Sequence, residues 1–197
     1  MSHLSRPRST SALAALLTGL TLAAAGCGDD ETGAGGTTPG KQPSSAPKGK
    51  PAEAVRAIDG DTLDVKLDGK TERVRLLGID APESTTKRNG KIECGGAFAR
   101  GAMKSLVARS PKIEIAFDPS QDERDQYGRL LAYVTSETGG TTWQEQLLNA
   151  GWAEVYEQRG EPILLDEEFR KATASAEEAE AGVFQICGGD FHKPEQK

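Results

Sequence analysis

The sequence predicts one small domain of the α+β class in which β-strands dominate. Three strand-like segments follow one another closely, and Asp68-Gly69 between the second and the third is a strong signal for a two-residue hairpin. The apolar residues then change to helical spacing, return to alternation for two segments, and end in two helical patterns. A chain of 197 residues with 36% hydrophobic composition supports one modest core rather than two full domains.

The individual elements follow from apolar spacing and from turn residues. Alternating apolar side chains predict five strands, over residues 54–58, 62–67, 72–79, 112–117 and 129–135. Helical spacing predicts three helices, the first ending before Pro111 and the others over 143–150 and 162–181. Closure removes most exposed sheet edges, so we expect a five-stranded barrel of the OB type with the helices packed on it. Composition alone does not select this barrel over another α+β arrangement.

The N-terminal region predicts export. Residues 1–26 combine Arg6 and Arg8 with an apolar run that is too short to span a bilayer, which is the layout of a cleaved signal peptide. Cys27 follows two small residues and resembles a bacterial lipoprotein processing site, where the cysteine becomes lipidated. We therefore expect a lipoprotein anchored on the extracytoplasmic side of the cell membrane. Ordinary cleavage, which would release a secreted protein, is the alternative.

Composition sets the remaining boundaries and the charge. Residues 27–52 contain almost no large apolar side chain and are predicted to form a disordered tether. The folded domain is expected over 53–187 and a C-terminal tail over 188–197, in a chain that we expect to be a monomer. Removing residues 1–26 takes away two basic residues and no acidic one, which changes the formal net charge from −6 to −8. An acidic protein binds nucleic acid only through a local site, because general affinity comes from Lys and Arg.

Two carboxylates are candidates for a metal site. The hairpin brings the start of its first strand beside the end of its second, so Asp61 and the segment from Asp80 to Glu83 should share one end of the sheet. Calcium prefers several oxygen ligands in loose geometry, which carboxylates supply. The alternative is that Asp61 only begins a turn and that Asp80 only caps one.

Three blocks of sequence resemble a known family. They read DGDT at residues 59–62, RLLGIDAPE at 75–83 and DQYGRLLAY at 125–133. In this order and spacing they resemble the signature blocks of the staphylococcal nuclease (thermonuclease) family, and the resemblance covers roughly residues 53–187. It implies a five-stranded OB barrel with three helices and calcium-dependent hydrolysis of phosphodiester bonds in DNA and RNA, with little sequence preference.

The resemblance also implies roles for single residues. The backbone carbonyl of Ala81 would be a third calcium ligand beside the two aspartates, and Glu83 would orient or deprotonate the attacking water. Arg75 and Arg129 would hold the phosphate, a task that suits a planar guanidinium because it donates two parallel hydrogen bonds. Alternatively, Arg75 pairs with a structural carboxylate at the barrel rim, and Arg129 is an ordinary edge-strand charge.

The expected substrate contacts rest on weaker matches. Tyr127 resembles a family tyrosine that contacts the nucleotide phosphate, and Tyr156 lies about one residue from the place of a base-stacking aromatic. Lys87 belongs to a polar loop that either contacts phosphate or is simply solvated. The resemblance places Gln126 at a position where members of the family can carry Lys. An inactive nuclease-like module that binds nucleic acid or protein at the cell envelope is therefore the alternative function.

Two cysteines remain in the domain. Cys94 precedes the first predicted helix and Cys187 follows the last, and an exported protein keeps such pairs oxidised. We expect a disulfide that ties the C-terminal helix to the barrel. Two buried free thiols are the alternative.

Overall fold

The structure is a computed structural model, and it describes residues 46–86, 90–157, 160 and 162–195. The predicted signal peptide, Cys27, residues 27–45 of the predicted tether and Lys87 lie outside the described residues. In the described part, the elements follow in the order β1 (Lys50–Ala57), β2 (Thr62–Leu67), β3 (Lys70–Leu76), β4 (Ile79–Asp80), α1 (Gly96–Arg109), β5 (Lys112–Ala116), β6 (Leu130–Ser136), α2 (Trp143–Asn149), β7 (Glu154–Val155), α3 (Asp166–Glu178) and α4 (Val183–Cys187).

The five longer strands close into a barrel in the order β1-β2-β3-β6-β5. Only β3 and β6 pair in parallel, and the other neighbours in the barrel are antiparallel. Large side chains from β2, β3, β5 and β6 are fully buried in the core, namely Leu63, Val65, Val74, Leu76, Ile113, Ile115, Leu131 and Tyr133. Because alternate residues of each strand point inward, closure leaves one continuous apolar core and confirms the predicted barrel.

The β2–β3 hairpin positions the site. Asp68 and Gly69 have φ angles of 50° and 76°, the left-handed values that a two-residue hairpin turn of this kind requires. The turn fixes the register so that Thr62, the first residue of β2, lies opposite Arg75 near the end of β3. Asp61 therefore lies beside the end of β3, as the sequence predicts.

Helices cover the barrel. Ala99, Met103 and Leu106 of α1 are buried against it. Helix α2 begins at a capping box between Thr142 and Glu145, which satisfies two of the free N–H groups at its start. Further helical residues that complete the core are Trp143, Leu147, Leu148, Phe169 and Ala172. No helix of residues 46–86, 90–157 or 162–195 has the length and hydrophobicity needed to cross a bilayer.

Several boundaries differ from the predicted ones. Strand β1 begins at Lys50, because residues 50–53 pair with β5 even though they lack large apolar side chains. The predicted third strand ends at Leu76, since Gly78 adopts a φ of 81° and the chain resumes as β4. The last predicted helix is shorter, and the described part holds a fourth helix, α4, beyond the three expected.

The residues after α4 pack against the domain. Phe191 is buried with Val183 and Cys187 in a small second apolar cluster. The backbone N–H of Cys94 donates to the carbonyl of Lys193 at 2.7 Å. Residues 188–195 are therefore held against the loop before α1 by backbone hydrogen bonds and by apolar burial.

Candidate functional site

Asp61 sits at one end of the barrel, immediately before β2, and is 4% exposed. Its Oδ2 accepts a hydrogen bond from the backbone N–H of Ala81 at 3.1 Å, and its Oδ1 accepts from the Thr62 hydroxyl at 2.8 Å. The loop needs a glycine at position 60, because a Cβ there would lie 2.7 Å from the Cβ of Ala81 and 2.9 Å from that of Ala99. The DGDT turn is thus packed directly between helix α1 and the segment that follows β4.

Arg75 joins the two predicted metal ligands. Its Nη1 forms an ion pair with Asp61 Oδ2, and its Nη2 donates to Asp80 Oδ1 at 2.5 Å. Burial alone would raise the pKa of Asp61, but the Arg75 guanidinium and two hydrogen bonds lower it below its ordinary value. Burial would likewise lower the pKa of Arg75, and the two carboxylates raise it instead. Asp61 and Arg75 are therefore both charged at neutral pH, and Arg75 lies directly between the two carboxylates.

Glu83 is held from its backbone. Its N–H donates to Glu93 Oε2 at 2.7 Å, and its carbonyl accepts from the backbone N–H of Glu93 at 2.9 Å. A Cβ at Gly96 would lie 2.4 Å from the Glu83 carbonyl oxygen, so the start of α1 presses directly on this segment. These contacts fix the Glu83 backbone. The residue as a whole is 7% exposed, and it lines the surface of a cleft.

A cleft of about 200 Å³ opens at this end of the barrel. Its lining brings together residues from all three sequence blocks, and consists of Ile58, Asp59, Asp61, Thr62, Arg73, Glu83, Thr85 and Arg129. Asp59 and Arg73 are not among the site residues that the sequence predicts. Asp59 opens the DGDT block, which is the signal that identifies it, and Arg73 lies two residues before Arg75 on the same face of β3. We refer to this feature as the reaction cleft.

Arg129 is positioned by a turn that Asp125 organises. Asp125 Oδ2 accepts from Arg129 Nε at 2.5 Å, and Asp125 Oδ1 accepts from the backbone N–H groups of Tyr127 and Arg129, both at 2.9 Å. Burial alone would raise the pKa of Asp125, but these hydrogen bonds lower it, so the carboxylate is ionised at neutral pH. The guanidinium carbon of Arg129 lies 5.5 Å from the centroid of the Tyr127 ring. Asp125 opens the DQYGRLLAY block, but the sequence alone does not predict this role for it.

A second cluster of charge lies behind Asp80. His192 Nδ1 is 3.3 Å from Glu93 Oε1, and His192 Nε2 is 3.1 Å from Glu154 Oε1 and 3.8 Å from Asp80 Oδ2. Burial alone would lower the pKa of His192, but the facing carboxylates raise it. A single histidine in a predicted tail gives no sequence signal for such a position, because the segment is brought here by tertiary contacts.

Several predicted site residues are not among those that line the reaction cleft, namely Arg75, Asp80, Ala81, Tyr127, Tyr156, Cys94 and Cys187. Tyr127 lines a neighbouring cleft, and Tyr156 is 47% exposed at the end of β7, where its N–H donates to the carbonyl of Gly78. Tyr156 is not among the residues that line either cleft in the described part of the chain. Cys94 and Cys187 are joined by a disulfide, with their Cα atoms 6.0 Å apart.

The donor chemistry of the site suits a hard cation. Asp61 and Asp80 supply carboxylate oxygens held in place by fixed partners, and the carbonyl of Ala81 lies on the same segment. Within the described residues, no three His, Cys, Asp or Glu side chains are already grouped as ligands. Because Arg75 already pairs with both aspartates, an ion that used both of them as ligands would displace Arg75 from at least one.

Comparisons with known proteins agree with the sequence blocks. A family model described as staphylococcal nuclease homologue matches residues 73–185. The chain is 47% identical over 100 residues to Endonuclease YncB of Bacillus subtilis (strain 168), a match that covers 51% of this chain and 45% of that protein. It is 39% identical over 136 residues to the SPbeta prophage-derived endonuclease YokF of the same organism, covering 68% and 43%.

A third relative comes from another genus. The chain is 37% identical over 99 residues to Thermonuclease of Staphylococcus intermedius, which covers 50% of this chain and 56% of that protein. The chain thus spans about half the length of the curated relatives it matches. With a closed five-stranded barrel, the three sequence blocks gathered at one end of it, and a family match over more than half of its length, this chain belongs to the staphylococcal nuclease family.

Proposed function

We propose that this protein is a calcium-dependent endonuclease that hydrolyses phosphodiester bonds in single-stranded or loosened DNA and RNA with little sequence preference. One observation carries the proposal: Asp61, Glu83 and Arg129, from three separate segments, line a single cleft. The three relatives named above as endonucleases or thermonuclease support the same activity.

The proposed roles follow from the charge of the substrate. A phosphodiester repels nucleophiles, so the site must neutralise the phosphate, position a water and stabilise the charge that develops in the transition state. Arg129 would donate parallel hydrogen bonds to the phosphate oxygens, and Asp125 fixes its orientation through Nε. Glu83 would accept a proton from the attacking water or orient it. Arg75 pairs with both aspartates, and with calcium bound it would stay on one of them and hold that carboxylate in place.

Asp61, Asp80 and the carbonyl of Ala81 would hold calcium, with water as the remaining ligands. The bound ion would supply positive charge to the phosphate. The reaction cleft itself is lined by three carboxylates and two guanidinium groups, a net charge of −1, which a divalent cation changes to +1. This local reversal explains how a protein with a formal net charge of −6 could bind a polyanion.

We also propose that the protein is exported. The Cys94–Cys187 disulfide supports this proposal, because disulfides persist mainly in oxidising compartments. The proposed anchor is a lipid on Cys27 after removal of residues 1–26. Detergent partitioning and mass spectrometry of the processed N-terminus test it: an unmodified, fully soluble product would contradict lipidation and favour secretion.

The activity is tested by incubating the purified protein with heat-denatured DNA in calcium and then in a chelator. We expect shortening of the DNA that chelation abolishes and that Glu83→Gln reduces by at least about a hundredfold. Glu137→Gln is the matched control, because Glu137 is an exposed carboxylate whose partner is Lys112, away from the cleft. Equal activity of the two variants would contradict the role of Glu83. Calcium-dependent binding without shortening would identify an inactive binding module.

A further inference from the structure

A second cleft adjoins the reaction cleft. It has a volume of about 390 Å³, and its lining is Asp64, Thr71, Glu72, Arg73, Tyr127, Gly128 and Arg129. Arg73 and Arg129 line both clefts, so their guanidinium groups stand at the boundary between the two. A bound strand whose cleaved phosphate lay in the reaction cleft would contact these two groups where it extends out of that cleft.

The charges of this second cleft favour an anion. Its two carboxylates are each paired with an arginine outside the lining: Asp64 with Arg56 at 2.6 Å and Glu72 with Arg124 at 3.1 Å. With these partners and Asp125 included, four guanidinium groups face three carboxylates, a local net charge of +1. The excess positive charge lies in a chain that is acidic as a whole.

Arg73 is placed to use that charge. Its Nε donates to Asp64 Oδ1 at 2.8 Å and its Nη2 donates to Asp64 Oδ2 at 3.4 Å, which fixes the side chain while 48% of it stays exposed to solvent. Tyr127, 74% exposed, lines the same cleft and offers an aromatic face to an unstacked base. Because Asp64 holds one edge of the guanidinium and about half of the side chain is exposed, Arg73 is suited to contacting a flexible, negatively charged strand.

We propose that Arg73 binds a phosphate of the substrate strand next to the one that is cleaved, so that the second cleft selects single-stranded nucleic acid over substrates with one phosphodiester. This inference rests on the proposed function. Arg73 is a substrate-binding residue in this assignment, with no part in the bond-breaking step. Its removal therefore affects binding of a strand and leaves the turnover of bound substrate unchanged.

The test compares Arg73→Gln with Arg56→Gln. Both variants remove one positive charge and one ion pair with the same carboxylate, Asp64, but Arg56 lines neither cleft. The substrates are decathymidylate and thymidine 5′-(p-nitrophenyl phosphate), which has no neighbouring phosphate. We expect Arg73→Gln to raise KM for decathymidylate about three- to tenfold with kcat unchanged, and to raise KM for the small substrate by less than about twofold, because only the charge of Arg73 in the reaction cleft acts on that substrate. Arg56→Gln should change KM for decathymidylate by less than about twofold and leave kcat unchanged for both substrates, because Arg56 lies outside both clefts and acts on the strand only through screened charge.

Salt dependence and direct binding complete the test. The slope of log affinity against log salt should fall by about 0.7 in Arg73→Gln, as expected for one lost phosphate contact with a single strand. Affinity is measured by fluorescence anisotropy of labelled decathymidylate in calcium, in a Glu83→Gln background, so that the result does not depend on cleavage. Equal effects of Arg73→Gln and Arg56→Gln, or equal effects of Arg73→Gln on the two substrates, would overturn the inference. Absence of cleavage by the wild type would refute the proposed function alone, and the anisotropy comparison would still decide the role of Arg73.

Discussion

Removal of the Cys94–Cys187 disulfide gives the sharpest stability prediction. The bond joins the loop before α1 to the end of α4 across a sequence separation of 93 residues. In the chain-entropy model, a loop of this length lowers the entropy of the unfolded chain by about 15.6 cal/mol/K, which is about 4.7 kcal/mol at 25 °C. This magnitude is an upper value for the double variant Cys94→Ala, Cys187→Ala.

The expected shift is large enough to measure easily. For a domain of this size, each kcal/mol lowers the melting temperature by about 2–4 °C, so the double variant should melt about 10–20 °C below the wild type. The assay is thermal unfolding followed by near-ultraviolet circular dichroism, with and without a reducing agent. The reductant should lower the wild-type melt to that of the double variant and should leave the double variant unchanged.

Hydrogen exchange separates global from local effects. Residues 188–195 are held partly by the Cys94 N–H bond to Lys193 and by burial of Phe191, so some contacts remain when the disulfide is lost. We expect exchange to rise first in this segment and in α4. A melting temperature within about 2 °C of the wild type would refute the reasoning, because the cross-link would then add little to the constraint that these contacts already impose.

Three further predictions concern Asp118, Asp125 and Gly60. Asp118 accepts a hydrogen bond from the buried Tyr133 hydroxyl at 2.6 Å; burial alone would raise the pKa of Asp118, but its hydrogen bonds lower it. The contribution of Asp118 to the free energy of unfolding is therefore present above its unfolded pKa of about 3.9 and is lost as the pH falls through the lower folded value. The urea midpoint of Asp118→Asn should thus fall less steeply with acidification than that of the wild type. Equal slopes would contradict this prediction. Asp125→Asn should lower kcat about tenfold or more with little change in melting temperature, because the Arg129 guanidinium loses its ionised partner; an unchanged kcat would show that Arg129 is positioned by other contacts. Gly60→Ala should destabilise the fold by about 1–3 kcal/mol in urea unfolding, since its Cβ has no room, and a wild-type midpoint would refute that packing argument.

The sequence predicted the framework of the site because that framework is local. The hairpin turn at Asp68-Gly69 and the alternation of β2 and β3 place Asp61 beside Arg75, and this juxtaposition follows from register alone. The role expected for Glu83 and the position expected for Arg129 came from the family resemblance, which encodes contacts that one sequence does not display. The same resemblance did not reveal that Arg75 pairs directly with both aspartates.

The parts that sequence missed depend on long-range contacts. Strand β1 begins at Lys50 because β5 supplies backbone hydrogen bonds, and these leave no apolar pattern. His192 reaches Glu93 and Glu154 only because the chain after α4 folds back over the domain. Phe98 has helical spacing but is 62% exposed and stacks on Trp152, a pairing that periodicity does not foresee.

Calcium titration calorimetry on three proteins tests the central claim most directly. The claim is that buried carboxylates at the barrel end hold the ion while Arg129 acts on the phosphate. The wild type should bind calcium, Asp61→Asn should bind it at least about tenfold more weakly, and Arg129→Gln should keep wild-type affinity while losing cleavage activity. Equal calcium affinity in the wild type and Asp61→Asn, or equal loss in both variants, would contradict the account.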